Sequence, residues 1–422
     1  MSRKKIPSWF VLLLLLSIIL TLEISRLYLS GEFQKDVEEL EILYSSEKRG
    51  WLNSVVEDFE SSWEASHPGR KISVVMTPIG SGKGTIQIAN GANQPVIWSP
   101  ASRFWLPILN LHWQKNHDSP IVDIHSPSIV VSPTVIATWK FYQEENNITS
   151  INDLHTLALT DPDFTFAHTD PFSSNSGFGG VIMEVATAVG KDPELLTLED
   201  LQKNEVQQWM RELESKAVQY GSSTGFLGKM MANEGPDKLK VALLYENLII
   251  EKNKELQAKI DTGEIPADHT LVAVYPHEGT ILNDHPFAIL DAPWVDNNDI
   301  QLANDFIEFL NKPEVVIKGV ENGFRAVNAT DEVLELVSSL FNTESGVIPS
   351  LDEVKIYSIS NIDANVLERI PDLWSATRSR SLDETNQTQL APVDYVIPVL
   401  MGIMIILIIF QPMIQRIRRY FR

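Results

Sequence analysis

The stretch FTFAHTDPFSSNSGFGGVIMEVATAVG (residues 164–190) decides the fold class. Its first six residues, FTFAHT, are mostly apolar or β-branched and carry no Asp, Glu, Lys or Arg, which predicts a buried strand. DPFSSNSGFGG follows as a turn rich in Ser and Gly. After it Val181, Ile182, Val185 and Val189 recur at helical spacing, and Gly190 stands where a helix C-cap would. A strand that empties through a hydroxyl-rich turn into a helix is the repeating unit of α/β domains with mostly parallel sheets.

The same unit recurs on both sides. LEILYSS (residues 40–46) reads as a strand, and Trp51, Val55, Phe59 and Trp63 then mark one face of a helix at four-residue spacing. ISVVM (72–76) runs into TPIGSGKGT, and VIW (96–98) into SPASRFW. VALLY (241–245) leads into a helix through Leu248, and LVAVY (271–275) into PHEGTILNDHPFAIL. Helices are expected around Ala303, Phe306 and Leu310 and over residues 313–321, with Gly323 closing the second. Ser150 with Asp153, and Thr197 with Asp200, are N-cap pairs.

Composition narrows the function. The 422 residues are 44% apolar, enough for real cores, and the net charge is −22. Arg3, Lys4, Lys5, Arg416, Arg418, Arg419 and Arg422 lie at the two ends, so removing those seven charges leaves −29 on the rest. A body that acidic repels nucleic acid and anionic lipid. The absence of Cys removes disulfides, thiolate metal sites and Cys-linked lipid anchors.

Each end carries an apolar run. IPSWFVLLLLLSIILTL (6–22) has no charge until Glu23 and is flanked by Trp9, Arg26 and Tyr28, so it reads as an uncleaved anchor in residues 1–30. A signal peptide is the competing reading, but no small-x-small cleavage site follows Leu22. The second run, APVDYVIPVLMGIMIILIIFQPMI, begins at Ala391 and predicts a span over 391–415 before a basic tail, 416–422. Positive charge on the outer side of both runs places both termini in the cytoplasm and a large domain outside it. Polar residues 375–389 suggest a stalk.

Ligands of open parallel sheets collect at the carboxyl ends of strands. Here those ends carry Ser45 and Ser46, Gly80 to Thr85, Ser99 and Ser102, and Thr169 to Gly177. Hydroxyls and helix-start N–H groups would make a polar pocket without a catalyst, whereas ordinary capping uses the same residues. GSGKGT (80–85) lacks the spacing of a phosphate loop. His168 and Asp170 are two metal-type ligands without a third nearby in sequence, and Ser176–Gly177 lacks the Gly-x-Ser-x-Gly elbow. Glu246 and Asn247, and His277 with Glu278, suit either a pocket lining or solvated turns. No acid pair suggests glycoside chemistry.

The motifs FAHTDPFSSNSGF (166–178), YGSSTGF (220–226), ALLYENLI (242–249), AVYPHEGT (273–280), DHPFAIL (284–290) and GFRAVN (323–328) occur in an order that resembles the type 2 periplasmic solute-binding proteins of ABC uptake systems. More narrowly, the chain is similar to the solute-binding-like region that precedes von Willebrand factor A domains in some bacterial surface proteins. The resemblance spans about residues 40–328. It implies an α/β, two-lobed type 2 periplasmic-binding-protein fold that closes over its ligand by hinge motion. Lobe 1 would be residues 38–133 plus 275–345, lobe 2 residues 134–274, and 346–390 a helical and polar stalk. It implies a ligand cleft of Ser45, Ser46, Ser81 and Ser99 facing Asp170, Ser173, Ser174, Ser176, Tyr245 and Glu246, with no metal and no cofactor. No von Willebrand domain follows and no lipid-bearing Cys is present. The expected function is a membrane-anchored, non-enzymatic protein that captures a small polar solute for an ABC-type uptake system or for signalling, with an ABC permease or another co-resident membrane protein as its partner. The alternative is a structural protein that scaffolds a membrane complex.

Overall fold

The computed structural model describes residues 37–386. Two sheets organise them. The first runs β10-β3-β1-β2, where β1 is Val37–Ser45, β2 Lys71–Ile79, β3 Ile97–Ser99 and β10 Ala288–Ile289. The second runs β12-β9-β4-β7-β5-β6, with β4 Val130–Trp139, β5 Phe166–Thr169, β6 Ala217–Gly221, β7 Val241–Tyr245, β9 Thr280–Asn283 and β12 Ile356–Tyr357; β8 (Leu271–Val274) and β11 (Arg325–Ala326) also pair with β4.

Within each lobe the strands that feed helices are parallel, β1 with β2 and β3, and β5 with β6 and β7. The expectation of mostly parallel sheets fails at β4, which is antiparallel to β7, β8, β9 and β11. The reason is its job: β4 enters the second lobe and β9 leaves it, so the ladder around them must run both ways. The chain crosses at β4, again between β9 and β10, and returns to the second sheet at β11 and β12, so three segments connect the two sheets. β9 and β11, within the stretch expected in lobe 1, hydrogen-bond into the second sheet.

Both lobes are packed by helical stripes. On the helix Arg49–Ser66, Trp51, Leu52, Val55, Phe59 and Trp63 are buried, as their spacing requires. Phe59 meets Phe306 and Phe309 edge-on, while Trp51 meets Phe287 and Phe324. The helix Asn175–Val189 buries nearly its whole circumference and stops at Gly190, whose φ of 70° is the left-handed conformation glycine adopts without cost. Ser150 accepts from Asp153 N, and Thr197 and Asp200 form a reciprocal capping box.

Residues 346–374 differ from a solvated stalk. Val347, Tyr357, Ile359, Ile362, Val366, Leu367, Ile370 and Trp374 are all buried, and β12 adds to the edge of β9. The alternating apolar positions there were masked by their polar neighbours. Among the described residues no helix is long and apolar enough to cross a membrane. Both apolar runs expected as spans lie outside the described residues.

Candidate functional site

The loops at the carboxyl ends of β1, β2, β3, β5, β6 and β7 converge on one plane between the lobes, because parallel strands deliver their following turns to the same sheet edge. Four helices start there: Ser81–Ala89, Asn175–Val189, Thr224–Glu234 and Glu246–Asp261. Ser174 and Ser223 occupy N-cap positions without making a cap bond, so their hydroxyls are turned to other partners.

Those partners lie largely across the cleft. Ser46 Oγ donates to Ser223 Oγ at 2.7 Å and accepts from Gly225 N at 3.0 Å. Lys83 N donates to the Ser173 carbonyl at 3.0 Å. Trp105 Nε1 donates to Asn175 Oδ1 at 2.9 Å, and Phe104 stacks on Phe178 with centroids 5.0 Å apart. Two glycines permit this approach. A Cβ on Gly82 would sit 2.3 Å from the Phe172 carbonyl oxygen, and one on Gly225 would sit 2.7 Å from that of Ser46. The cleft is closed, lobe on lobe.

Asn175 joins the cleft to the hinge. Its Nδ2 donates to Tyr245 Oη at 2.9 Å and to Asn283 Oδ1 at 2.6 Å, and Asn283 Nδ2 in turn donates to the Ser132 carbonyl and Thr134 Oγ1 on β4. Tyr245 is thus a cleft residue, and burial pushes its phenol up, so it stays neutral. Ser174 Oγ lies 3.4 Å from Thr224 Oγ1, and Ser176 Oγ lies 2.9 Å from both Thr224 Oγ1 and Thr169 Oγ1. Ser81 Oγ accepts from Ala101 N at 3.0 Å, while Ser99 Oγ is buried with no hydrogen-bond partner.

A buried ionic knot sits behind Ser45. Lys48 is fully buried, and its Nζ donates to Ser45 Oγ and, at 3.0 Å each, to the carbonyls of Ser99 and Pro100. Glu47 accepts from Ser45 and lies 3.3 Å from His285 Nδ1. Burial pushes the Glu47 carboxyl up, but the His285 ring beside it, the Lys48 charge and the hydrogen bond from Ser45 outweigh it and hold it below its usual value. Burial also pulls the Lys48 ammonium down to about 8, against the attraction of Glu47 and Asp284. His285 has φ 41°, a left-handed conformation that is strained for a side chain of this kind. Three protons on three oxygens make Lys48 a tie between the β1 and β3 loops. It is not placed as a free base.

Two residues expected in the cleft are committed elsewhere. Glu246 accepts from Arg325 Nε and Nη2 at 2.7 and 2.8 Å and from Tyr275 Oη, a buried bidentate pair that leaves no lone pair aimed at a ligand. Asp170 spends Oδ1 on Phe172 N at 2.8 Å and turns its own loop, and Ser173 Oγ donates to the Asp170 carbonyl at 3.2 Å. The sequence reading missed Glu47, Lys48, Trp105, Asn175, Ser223, Thr224, Asn283 and His285. Ser223 and Thr224 were within reach of it, since GSST follows β6 as SSNS follows β5.

This geometry matches a family. A model of bacterial extracellular solute-binding proteins matches residues 40–325. The chain belongs to the bacterial extracellular solute-binding proteins. Solved structures agree on the fold: maltose-bound T. maritima MalE3 (TM-score 0.54, 11% identity, covering 82% of this chain and 95% of that one), a periplasmic thiamin-binding protein (0.53, 12%, 81% and 96%) and the substrate-binding protein of an ABC transporter from Agrobacterium tumefaciens (0.53, 10%, 82% and 96%). No curated protein sequence matches the chain.

Proposed function

We propose that this solute-binding protein captures a small polar solute between its lobes, without chemistry, and works with an ABC-type permease. The observation that carries this reading is the set of bonds from Ser46 to Ser223 and Gly225 and from Lys83 to Ser173. Hydroxyls and backbone groups that pair across the cleft are the groups a polar solute would engage when the hinge opens. We propose further, from the motif order alone, that the chain is akin to the solute-binding-like regions that precede von Willebrand domains in surface proteins. We further propose that the apolar runs at residues 6–22 and 391–415 anchor the domain at both ends, with the termini in the cytoplasm, so that it cannot diffuse between partners.

The test is a thermal-shift screen of the full chain over sugars, amino acids, peptides and oxyanions, with small-angle scattering on each hit. A ligand that raises the melting temperature with concentration and alters the scattering envelope supports capture. A flat response across all four classes favours the second reading, a scaffold that keeps the fold and binds other membrane proteins. That reading has its own support, since the lobes already satisfy one another directly.

A further inference from the structure

His168, Glu184 and Glu214 are buried together, with donor atoms all within 4.8 Å of each other. They come from β5, the helix Asn175–Val189 and the helix Asn204–Glu214. His168 and Glu184 are 0% exposed, and Glu214 4%. His168 Nδ1 lies 2.7 Å from the Thr169 carbonyl and donates to it, which leaves Nε2, 2.9 Å from Glu214 Oε1, as the nitrogen facing the cluster. Glu214 Oε2 accepts from Tyr220 Oη at 2.7 Å. Glu184 differs: both of its carboxylate oxygens are buried without a hydrogen-bond partner.

Two carboxylates inside a protein require a counter-charge, and an unpartnered one is among the costliest groups to bury. We propose that His168, Glu184 and Glu214 hold a divalent transition-metal ion. The donor set suits zinc, which takes imidazole nitrogen and carboxylate oxygen in closed sites. An ion about 2.0–2.2 Å from each donor would set tetrahedral donors about 3.4 Å apart. The cluster reaches that spacing by turning Glu184, whose oxygens no hydrogen bond holds, and by widening the His168 Nε2–Glu214 Oε1 pair from 2.9 Å. The supporting shell is present for the other two ligands: Thr169 fixes the imidazole and Tyr220 fixes Glu214, the arrangement that orients ligands around metals. The ion would neutralise both carboxylates and clamp the strand and helix that present the loop from Asp170 to Ser176.

Protons are the rival occupant: burial and the Glu214 charge push the Glu184 carboxyl well up, and although burial lowers the His168 imidazole, Glu214 and Glu184 raise it to about 9, so an imidazolium is the competing counter-charge. Glu184→Gln separates the two, because the amide copies a protonated acid in shape but ligates poorly. The full chain would be stripped with EDTA, dialysed against zinc chloride and analysed by elemental mass spectrometry and thermal melting. The expected result is one zinc per wild-type chain, a melting temperature that rises with zinc, and an affinity at least about 100-fold lower in Glu184→Gln, the loss that even outer-shell changes reach. Wild-type protein that retains no zinc, or a variant that binds it equally, overturns the proposal. Should Glu184→Gln not fold, cobalt spectra of the wild type decide: ligand-field bands of a nitrogen-bound tetrahedral ion support the site, and a spectrum of hexaaqua cobalt rejects it.

Discussion

Ser46 and Ser223 are 177 residues apart in sequence, yet their hydroxyls meet at 2.7 Å and join the two lobes. Both are buried, and Gly225 N completes the contact. Replacing Ser46 with Ala leaves Gly225 N–H without its acceptor only while the lobes are shut. Orphaning one such group costs about 1–2 kcal/mol, roughly a 5- to 30-fold shift toward the open form. Small-angle scattering should therefore give Ser46→Ala a larger radius of gyration, with each lobe still folded by far-ultraviolet dichroism. Identical scattering from wild type and variant would remove this latch from the account.

Gly82 offers a steric version of the same test. Its backbone is helical, so Ala is conformationally acceptable there and improves helix propensity by about 1 kcal/mol. Its Cβ would meet the Phe172 carbonyl oxygen of the opposite lobe at 2.3 Å. Gly82→Ala is expected to wedge the cleft open and abolish ligand-induced closure while thermal stability holds or rises. A variant that still closes on ligand in scattering shows that the lobes meet in another register.

The sequence made one half of this cleft legible and hid the other. Ser45, Ser46, Ser81, Ser99, Ser174 and Ser176 stand in strand-end turns that the sequence marks, because a strand's end fixes where its turn goes, whereas Tyr245 was implied only by the family resemblance. Which turns face each other was not readable, because it depends on β4 and β9 crossing between lobes. Glu47 and Lys48 look like a solvated charged turn in sequence, and only the packing of Ser99, Pro100 and His285 around them turns that pair into a buried knot. Glu246 failed for the converse reason: its partner Arg325 is 79 residues away, and no periodicity records a long-range ion pair. The third ligand for His168 was invisible for the same reason, since Glu184 and Glu214 approach it only through helix packing.

Arg325 ties three segments together. Besides Glu246 it donates to the carbonyls of Ile348 and Pro349, so it holds the stretch after residue 345 against the helix that begins at Glu246. Arg325→Met leaves the Glu246 carboxylate buried with Tyr275 alone, and breaking a buried pair from one side costs about 3–5 kcal/mol. Urea denaturation should show a loss of that size, and Arg325→Met with Glu246→Gln together should lose less than the single change. Equal losses would mean that the charge left on Glu246 is not what destabilises the single variant.

Lys48 makes stability depend on alkaline pH in an unusual direction. Burial pulls its ammonium in the folded chain down to about 8, whereas an unfolded lysine holds its proton to about 10.4. Between those values the unfolded chain binds more protons than the folded one, so unfolding free energy rises with pH. The contribution is absent below pH 8, grows above it, and is on the order of 1–2 kcal/mol by pH 9.5. Above about pH 10 the trend reverses, because unfolded tyrosines ionise while Tyr245 and Tyr275 are held neutral by burial. Urea midpoints at pH 7.5, 8.5 and 9.5 should rise in the wild type relative to Lys48→Met, which keeps the apolar stem and lacks the titrating group; His168, lowered by burial but raised to about 9 by Glu214 and Glu184, loses stabilisation over this range in both proteins and cancels in the comparison. A wild-type minus Lys48→Met difference that does not grow above pH 8 would place the Lys48 proton outside the buried knot with Ser45, Ser99 and Pro100.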